Sequence, residues 1–250
     1  MSNRINDMLY AHYFEGRIKY MINLSDIDKV YKTKYFWVND HLEDVLPSNK
    51  DSKILVLGCG IGHEVYALNK MNYKNVIGID ISDEQIEIAK SRKLNCIKVD
   101  AFKFLNINKE KYDVIVAFNF IEHFNLEKVL ELLTLCYKRL NKGGVIILST
   151  PNASNPLAIH HIYGDLTHKI AFTETSIRQL LIAAGFRKIK LKNVKPFGRF
   201  DDKIIKRVSK LIMTFIIKVI WKLIQIFYLL NCARSPKVVS TDLLVIAYRE

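Results

Sequence analysis

Three glycines, one acid and a scattered set of histidines and carboxylates are the residues of this chain whose types and spacing could do chemistry. Ile54 to Glu64 reads ILVLGCGIGHE, so Gly58, Gly60 and Gly62 fall between an apolar run and a helix-forming stretch. Glycine lets the backbone turn tightly and approach a ligand, and the N-terminus of the next helix offers N–H groups there. Asp80 comes 22 residues after Gly58, where a second strand should end. A carboxylate at that place can accept hydrogen bonds from both hydroxyls of a ribose. The bland alternative is a glycine-rich turn with no ligand, but strand, loop, helix, strand and acid in this order point to a nucleotide-type site. A dinucleotide fingerprint would need its third glycine at position 63, which is His63; the spacing here is G-x-G-x-G.

Further along, Glu122 and His123 follow a fourth strand-like run, and Asp165 and His168 lie in a long loop after a fifth, with His160 and His161 upstream. At a pocket mouth such groups can take a proton from a hydroxyl acceptor. The plainer roles are a cap for the next helix by Glu122-His123 and a loop-pinning hydrogen bond by His168. Glu122, His123 and His168 can also ligate a divalent cation, but no spacing demands one and no metal is assigned. His63 is read as a helix-start residue on the glycine-loop side. Tyr31 and Tyr35 either close over the bound ligand or pack on the sheet edge.

These groups need a frame. Ile54–Leu57, Val76–Ile79, Cys96–Val99, Tyr112–Phe118 and Val145–Leu148 are short apolar runs of the buried parallel-strand kind. Helices are expected at about 64–71, from a Ser82/Gln85 capping box to about Ser91, and from about Leu126 to Leu140, where Asn141-Lys142-Gly143-Gly144 stops the last one. Thr173 is a plausible N-cap for a helix ending at Gly185, and Lys188–Lys195 and Leu243–Tyr248 alternate as strands. Strands alternating with helices predict an α/β protein with a parallel sheet covered on both faces. Residues 1–50 read as short helices, an N-terminal helical flap.

The glycine spacing resembles the first motif of class I S-adenosylmethionine-dependent methyltransferases. Asp80 in GIDIS is similar to their ribose-binding acid. Asp100-Ala101-Phe102 is similar to their adenine-contacting segment, and Asn119-Phe120-Ile121-Glu122-His123 to the VLEH segment of ubiquinone-biosynthesis relatives. Lys142-Gly143-Gly144 resembles their KPGG turn, with Gly143 for Pro. The resemblance covers about 50–195 and 238–249. It implies a Rossmann-like, seven-stranded, mostly parallel sheet of order 3-2-1-4-5-7-6, with the final strand antiparallel. It also implies S-adenosyl-L-methionine as cofactor, bound by Gly58, Cys59, Gly60, Gly62, Asp80, Ile81, Asp100, Ala101, Phe102, Phe118 and Asn119. Residues 149–185, with Tyr163-Gly164-Asp165-Leu166-Thr167-His168 ahead of the helix, resemble a subgroup found in bacterial polysaccharide and lipopolysaccharide biosynthesis. The expected activity is methyl transfer, to oxygen, on a saccharide or lipid-linked glycan, with Glu122, His123, Asp165 and His168 as catalytic candidates. The alternatives are a quinone or other membrane-lipid acceptor, or a non-catalytic membrane- or RNA-associated protein of the same fold.

Composition agrees with a folded enzyme and adds one feature. The chain has 250 residues, 50% hydrophobic and 25% charged, enough for one large core without disulfide or metal staples. Its four cysteines form no CxxC pair, and the N-terminal stretch has no apolar h-region, so reduced thiols in a cytoplasmic protein are expected. The net charge of +13 is uneven: residues 186–250 hold 15 Lys/Arg against 4 Asp/Glu. Within them, 203–236 form a basic amphipathic insertion between the last two strands, dividing the methyltransferase domain into 51–202 and 237–250. Ile212, Phe215, Ile216, Val219 and Leu223 follow helical spacing on one side, with Lys203, Arg207, Lys210, Lys218 and Lys222 on the other. A helix or helical hairpin lying in the headgroup plane on the inner face of the cytoplasmic membrane is expected. A homodimer surface or a helix packed on the protein's own core is the alternative, and nucleic acid is disfavoured because aliphatics rather than stacking aromatics separate the cations.

Overall fold

A computed structural model describes residues 8–10, 12–19, 26–194, 204–232 and 235–250. Seven strands form one sheet in the order β3-β2-β1-β4-β5-β7-β6. They are β1 (Lys53–Leu57), β2 (Asn75–Asp80), β3 (Cys96–Lys98), β4 (Tyr112–Phe118), β5 (Leu140–Pro151), β6 (Lys188–Asn193) and β7 (Asp242–Tyr248). The first five run parallel, while β7 is antiparallel to both β5 and β6. Parallel strands need crossovers, and the helices between them cover both faces of the sheet.

The two-residue period of β1 divides the core. Leu55 and Leu57 pack into a layer with the helices Ala101–Ile107, Leu126–Arg139 and Glu174–Ala183. Ile54 and Val56 pack into the opposite layer with Ile27–Leu42, His63–Lys70 and Asp83–Ser91. The Leu126–Arg139 helix starts because the Asn125 side chain accepts the Lys128 N–H at 3.0 Å, and it buries Val129, Leu132, Leu133 and Cys136 at helical spacing. Thr173 and Ser176 cap each other reciprocally at the start of Glu174–Ala183.

Four features differ from expectation. The N-terminal region holds a 16-residue helix, Ile27–Leu42, that buries Tyr31, Val38 and Leu42, with the Tyr31 hydroxyl donating to the Ile61 carbonyl. Ser82 accepts the Gln85 N–H at 3.4 Å, but Gln85 turns toward Gly60 and does not complete a capping box. The Leu126–Arg139 helix ends without a glycine cap, and β5 begins at Leu140. Gly143, at φ +78, allows the bulged start, its N–H donating to Arg249 O at 2.7 Å. Finally, Asp100-Ala101-Phe102 opens a short helix, Ala101–Ile107, with Asp100 as its N-cap. The insertion is one helix, Ile204–Cys232, rather than a hairpin.

Candidate active site

The C-terminal ends of β1, β2 and β4 meet on one side of the sheet, where open parallel sheets bind ligands. Gly58, Gly60 and Gly62 take φ of +62, +52 and +83, a left-handed region that only glycine enters at low cost. A Cβ on Gly58 would sit 2.3 Å from the Phe120 ring, and one on Gly60 2.8 Å from Gln85 Oε1. The loop is therefore built for glycine both in conformation and in space. Gly62 ends it as the N-cap of His63–Lys70, as expected for His63.

Asp80 closes the loop from the other side. Its Oδ2 accepts the Gly60 N–H and its Oδ1 the Ser82 N–H, both at 2.9 Å. Burial pushes the carboxyl up, and these backbone donors oppose the shift. Each oxygen has a further lone pair, so the carboxylate can still accept a pair of hydroxyl protons. Ile81, half exposed beside it, offers an apolar rim. Asp100 Oδ1 accepts the Lys103 N–H at 2.8 Å as a helix cap, while Ala101 is buried behind it. Phe102 meets Phe124 edge-on. Asn119 adopts φ +47 at the end of β4, with its N–H held by Ser149 O at 2.8 Å, which exposes the residue beyond the strand. The side chains of two expected binding residues point inward. The Cys59 side chain is fully buried in the core, so only its main chain can face a ligand. Phe118 is buried against Trp37, a wall of the site from the inside.

One residue beyond Phe120 the chain enters a short turn, Ile121–His123, that carries a second cluster. His123 Nδ1 lies 2.8 Å from Thr167 Oγ1, and Thr167 Oγ1 lies 2.6 Å from Asp165 Oδ1. A hydroxyl has one proton. Given to the carboxylate, it obliges Thr167 to accept from His123 Nδ1–H, which leaves the lone pair of neutral His123 on Nε2. Asp165 also takes the Thr167 N–H at 2.9 Å and the Tyr13 hydroxyl at 2.9 Å. It is a buried positioning residue rather than a group exposed to an acceptor. His168 Nδ1 is 2.9 Å from Ile162 O, which can only accept, so Nδ1 carries a proton, and Nε2 lies 3.9 Å from Asp165 Oδ2. The expected loop-pinning role of His168 is thus real, and the His123 and His168 rings still meet at 4.8 Å. His160 and His161 stand apart on the exposed Ile159–Tyr163 helix, His161 beside Asp242.

Glu122 is 1% exposed, and neither carboxyl oxygen meets a well-formed hydrogen bond. Burial pushes its pKa up to about 8, only partly offset by its own backbone and Thr150. At neutral pH it is a protonated acid. Its main-chain oxygen anchors the long loop through the Lys169 N–H at 2.8 Å. Glu122, His123 and His168 each offer a ligand atom within 4.8 Å of one another, a geometry that can accept a divalent cation although no spacing announced it.

Three contributors were missed. Tyr10 and Tyr13 hold their rings 6.4 and 6.2 Å from that of His123, and burial lifts the Tyr10 hydroxyl to about 12. The i, i+3 aromatic spacing in MLYAHYF is the signal the sequence offers for them. Glu64 is buried beside His63 and 3.0 Å from Lys34; burial alone would raise it, but the neighbouring His63 and Lys34 side chains hold it at about 2. This pair ties the N-terminal helix to the glycine-loop helix.

The sequence profile of the methyltransferase domain matches residues 31–191, and the chain belongs to that family. It is 29% identical over 202 residues to the mRNA cap guanine-N(7) methyltransferase of Schizosaccharomyces pombe, covering 69% of this chain and 55% of that protein. It is 31% identical over 119 residues to a ubiquinone biosynthesis O-methyltransferase of Pelagibacter ubique, covering 46% of this chain and 48% of that protein. The chain spans about half the length of the curated relatives it matches. A SAM-dependent methyltransferase from Archaeoglobus fulgidus superposes with a TM-score of 0.61 at 23% identity, covering 89% of this chain and 97% of that one. The fold is that of S-adenosylmethionine-dependent methyltransferases, and S-adenosyl-L-methionine is the cofactor that family and fold imply. The residues fit it: a loop that only glycine can form, and a carboxylate with two acceptor sites left over.

Proposed function

We propose that this chain transfers a methyl group from S-adenosyl-L-methionine to a hydroxyl oxygen of a saccharide or lipid-linked glycan intermediate of bacterial surface polysaccharide biosynthesis. The methyl donor supplies an electrophilic carbon on a cationic sulfur, so the protein's task is to align, to exclude water and to receive a proton. Gly58, Gly60, Gly62 and Asp80 hold the donor, with Ile81, Asp100, Ala101, Phe102 and Asn119 along its rim. His123 Nε2 receives the acceptor proton, positioned through Thr167 and Asp165, and His168 stands beside it.

The observation that carries the oxygen-acceptor reading is the Asp165–Thr167–His123 chain, which fixes an imidazole in the tautomer that a base requires. The saccharide reading is supported by the density of hydrogen-bonding groups around it: two histidines, Tyr10, Tyr13 and a neutral Glu122 suit a polyhydroxyl partner more than an apolar ring. The ubiquinone relative favours a second acceptor, a phenolic hydroxyl, for the same base. The test is calorimetric titration with S-adenosylmethionine and with NAD, then transfer of labelled methyl to nucleotide sugars, lipid-linked sugars and catechol-type phenols. Binding of the methyl donor with labelled sugar product supports the reading. Binding of NAD alone, or label on phenols only, overturns it at the corresponding level.

A further inference from the structure

From the Ile204–Cys232 helix we infer that this protein docks on an anionic lipid surface, with that helix lying in the membrane plane. The helix is 29 residues, about 43 Å long at 1.5 Å per residue. None of its described side chains is buried. Phe215, Val219, Leu223, Ile226 and Leu230 follow a 4-4-3-4 spacing, so they form one stripe, with Phe215 69% and Leu230 78% exposed. An isolated protein in water gains nothing from displaying such a stripe.

Length and hydropathy alone would let Thr214–Asn231 cross a bilayer. The chain connection argues against it. The Lys237 and Val238 N–H groups both bond Glu174 Oε2, at 2.9 and 3.2 Å, and the Val239 N–H bonds Asn193 Oδ1 at 2.8 Å. The return segment is thus fastened to the domain from Lys237 onward. Four residues separate Cys232 from Lys237, so the link reaches at most about 18 Å against a hydrocarbon core of about 30 Å. Gln225 Nε2, two turns before the helix end, also donates to Pro236 O at 3.2 Å, which folds the return segment back along the last turns of the helix. A helix apolar enough to enter a membrane, with its C-terminal end held at the domain and lysines along its length, suits a position along the interface.

Charge selects the kind of surface. Residues 203–241 contain eight Lys/Arg and no Asp or Glu. Lys218 and Lys222 are exposed one turn apart, on a flank of the apolar stripe. A second copy pairing through this helix would bring no acid of its own helix to meet those cations, whereas anionic headgroups meet them at the depth where the stripe enters the acyl boundary.

The test is co-sedimentation of the full chain with phosphatidylcholine vesicles, with and without one third phosphatidylglycerol. The expected result is binding to the anionic vesicles only, weakened by added salt. Lys218→Glu with Lys222→Glu should reduce partitioning about thirtyfold or more, from about fivefold per cation removed. Phe215→Asp with Leu223→Asp should abolish binding. Donor titration of each variant reports that the domain remains folded. Failure to bind anionic vesicles overturns the inference, as does binding that neither double variant alters. A dimer of the wild-type chain that Phe215→Asp with Leu223→Asp makes monomeric overturns it too, because a second copy then covers the face. None of these outcomes depends on which acceptor is methylated.

Discussion

Replacing Glu122 by Gln should make the protein more stable, and by an amount that grows with pH. The native carboxyl is 1% exposed and its pKa is pushed up to about 8, against about 4.5 in the unfolded chain. The sign follows from where the proton sits. Below about pH 4.5 the group is neutral in both states and costs nothing. Between about 4.5 and about 8 the unfolded chain ionises while the native one does not, so native stability is lost as pH rises through that window. Each unit contributes about 1.4 kcal/mol, so the full window amounts to about 4 to 5 kcal/mol, a large share of an ordinary domain's stability. Glutamine keeps the shape and cannot ionise. Urea unfolding of both proteins at about pH 5, 6, 7 and 8, in chelator so that no cation reaches Glu122, His123 and His168, measures the difference directly. The gap should widen by about 1.4 kcal/mol per unit toward pH 8. Parallel stability curves would refute the claim that Glu122 is held neutral by its burial.

Asp80→Ala should weaken S-adenosylmethionine binding at least about a hundredfold in calorimetry, because two charge-assisted hydrogen bonds are lost and the Gly60 N–H loses its partner. His123→Ala should reduce kcat by about a hundredfold or more with donor affinity unchanged, while Thr167→Val should give a smaller loss and a shifted pH–rate profile. Lys34→Ala should cost about 2 to 3 kcal/mol in unfolding experiments. It should also raise the midpoint of acid unfolding: Glu64, held at about 2, contributes stability above about pH 4.5 that is lost as pH falls toward 2.

Which parts of this were legible in the sequence depends on how far apart the cooperating residues lie. The glycine loop needs only neighbours in sequence, so its strand, its conformation and its helix were all visible from Ile54 to Glu64. Thr173 capping a helix and the alternation of Leu243–Tyr248 are similarly local. Phe120 filling the space above Gly58 spans 62 residues and was not visible, nor was Lys34 reaching Glu64. Cys59 shows the limit of a motif: its position in the loop is local and visible, whereas the packing of its side chain against Gly78, 19 residues on, is not. The Ala101–Ile107 helix was hidden because its capping acid, Asp100, had been read only as a ligand contact.

The same reasoning explains why the second cluster needs the N-terminus. Tyr13 and Asp165 are 152 residues apart, yet their hydrogen bond joins the first turns of the chain to the loop after β5. Asp165 in turn fixes Thr167, and Thr167 fixes the proton on His123. A carboxylate buried to this degree is stable only when its lone pairs are used, and Tyr13 joins the Thr167 N–H and hydroxyl in donating to it. Removing that donor is expected to loosen Asp165, and through Thr167 the orientation of His123. Through Asp165 the N-terminal segment is thus joined by hydrogen bonds to the loop that holds Thr167 beside His123.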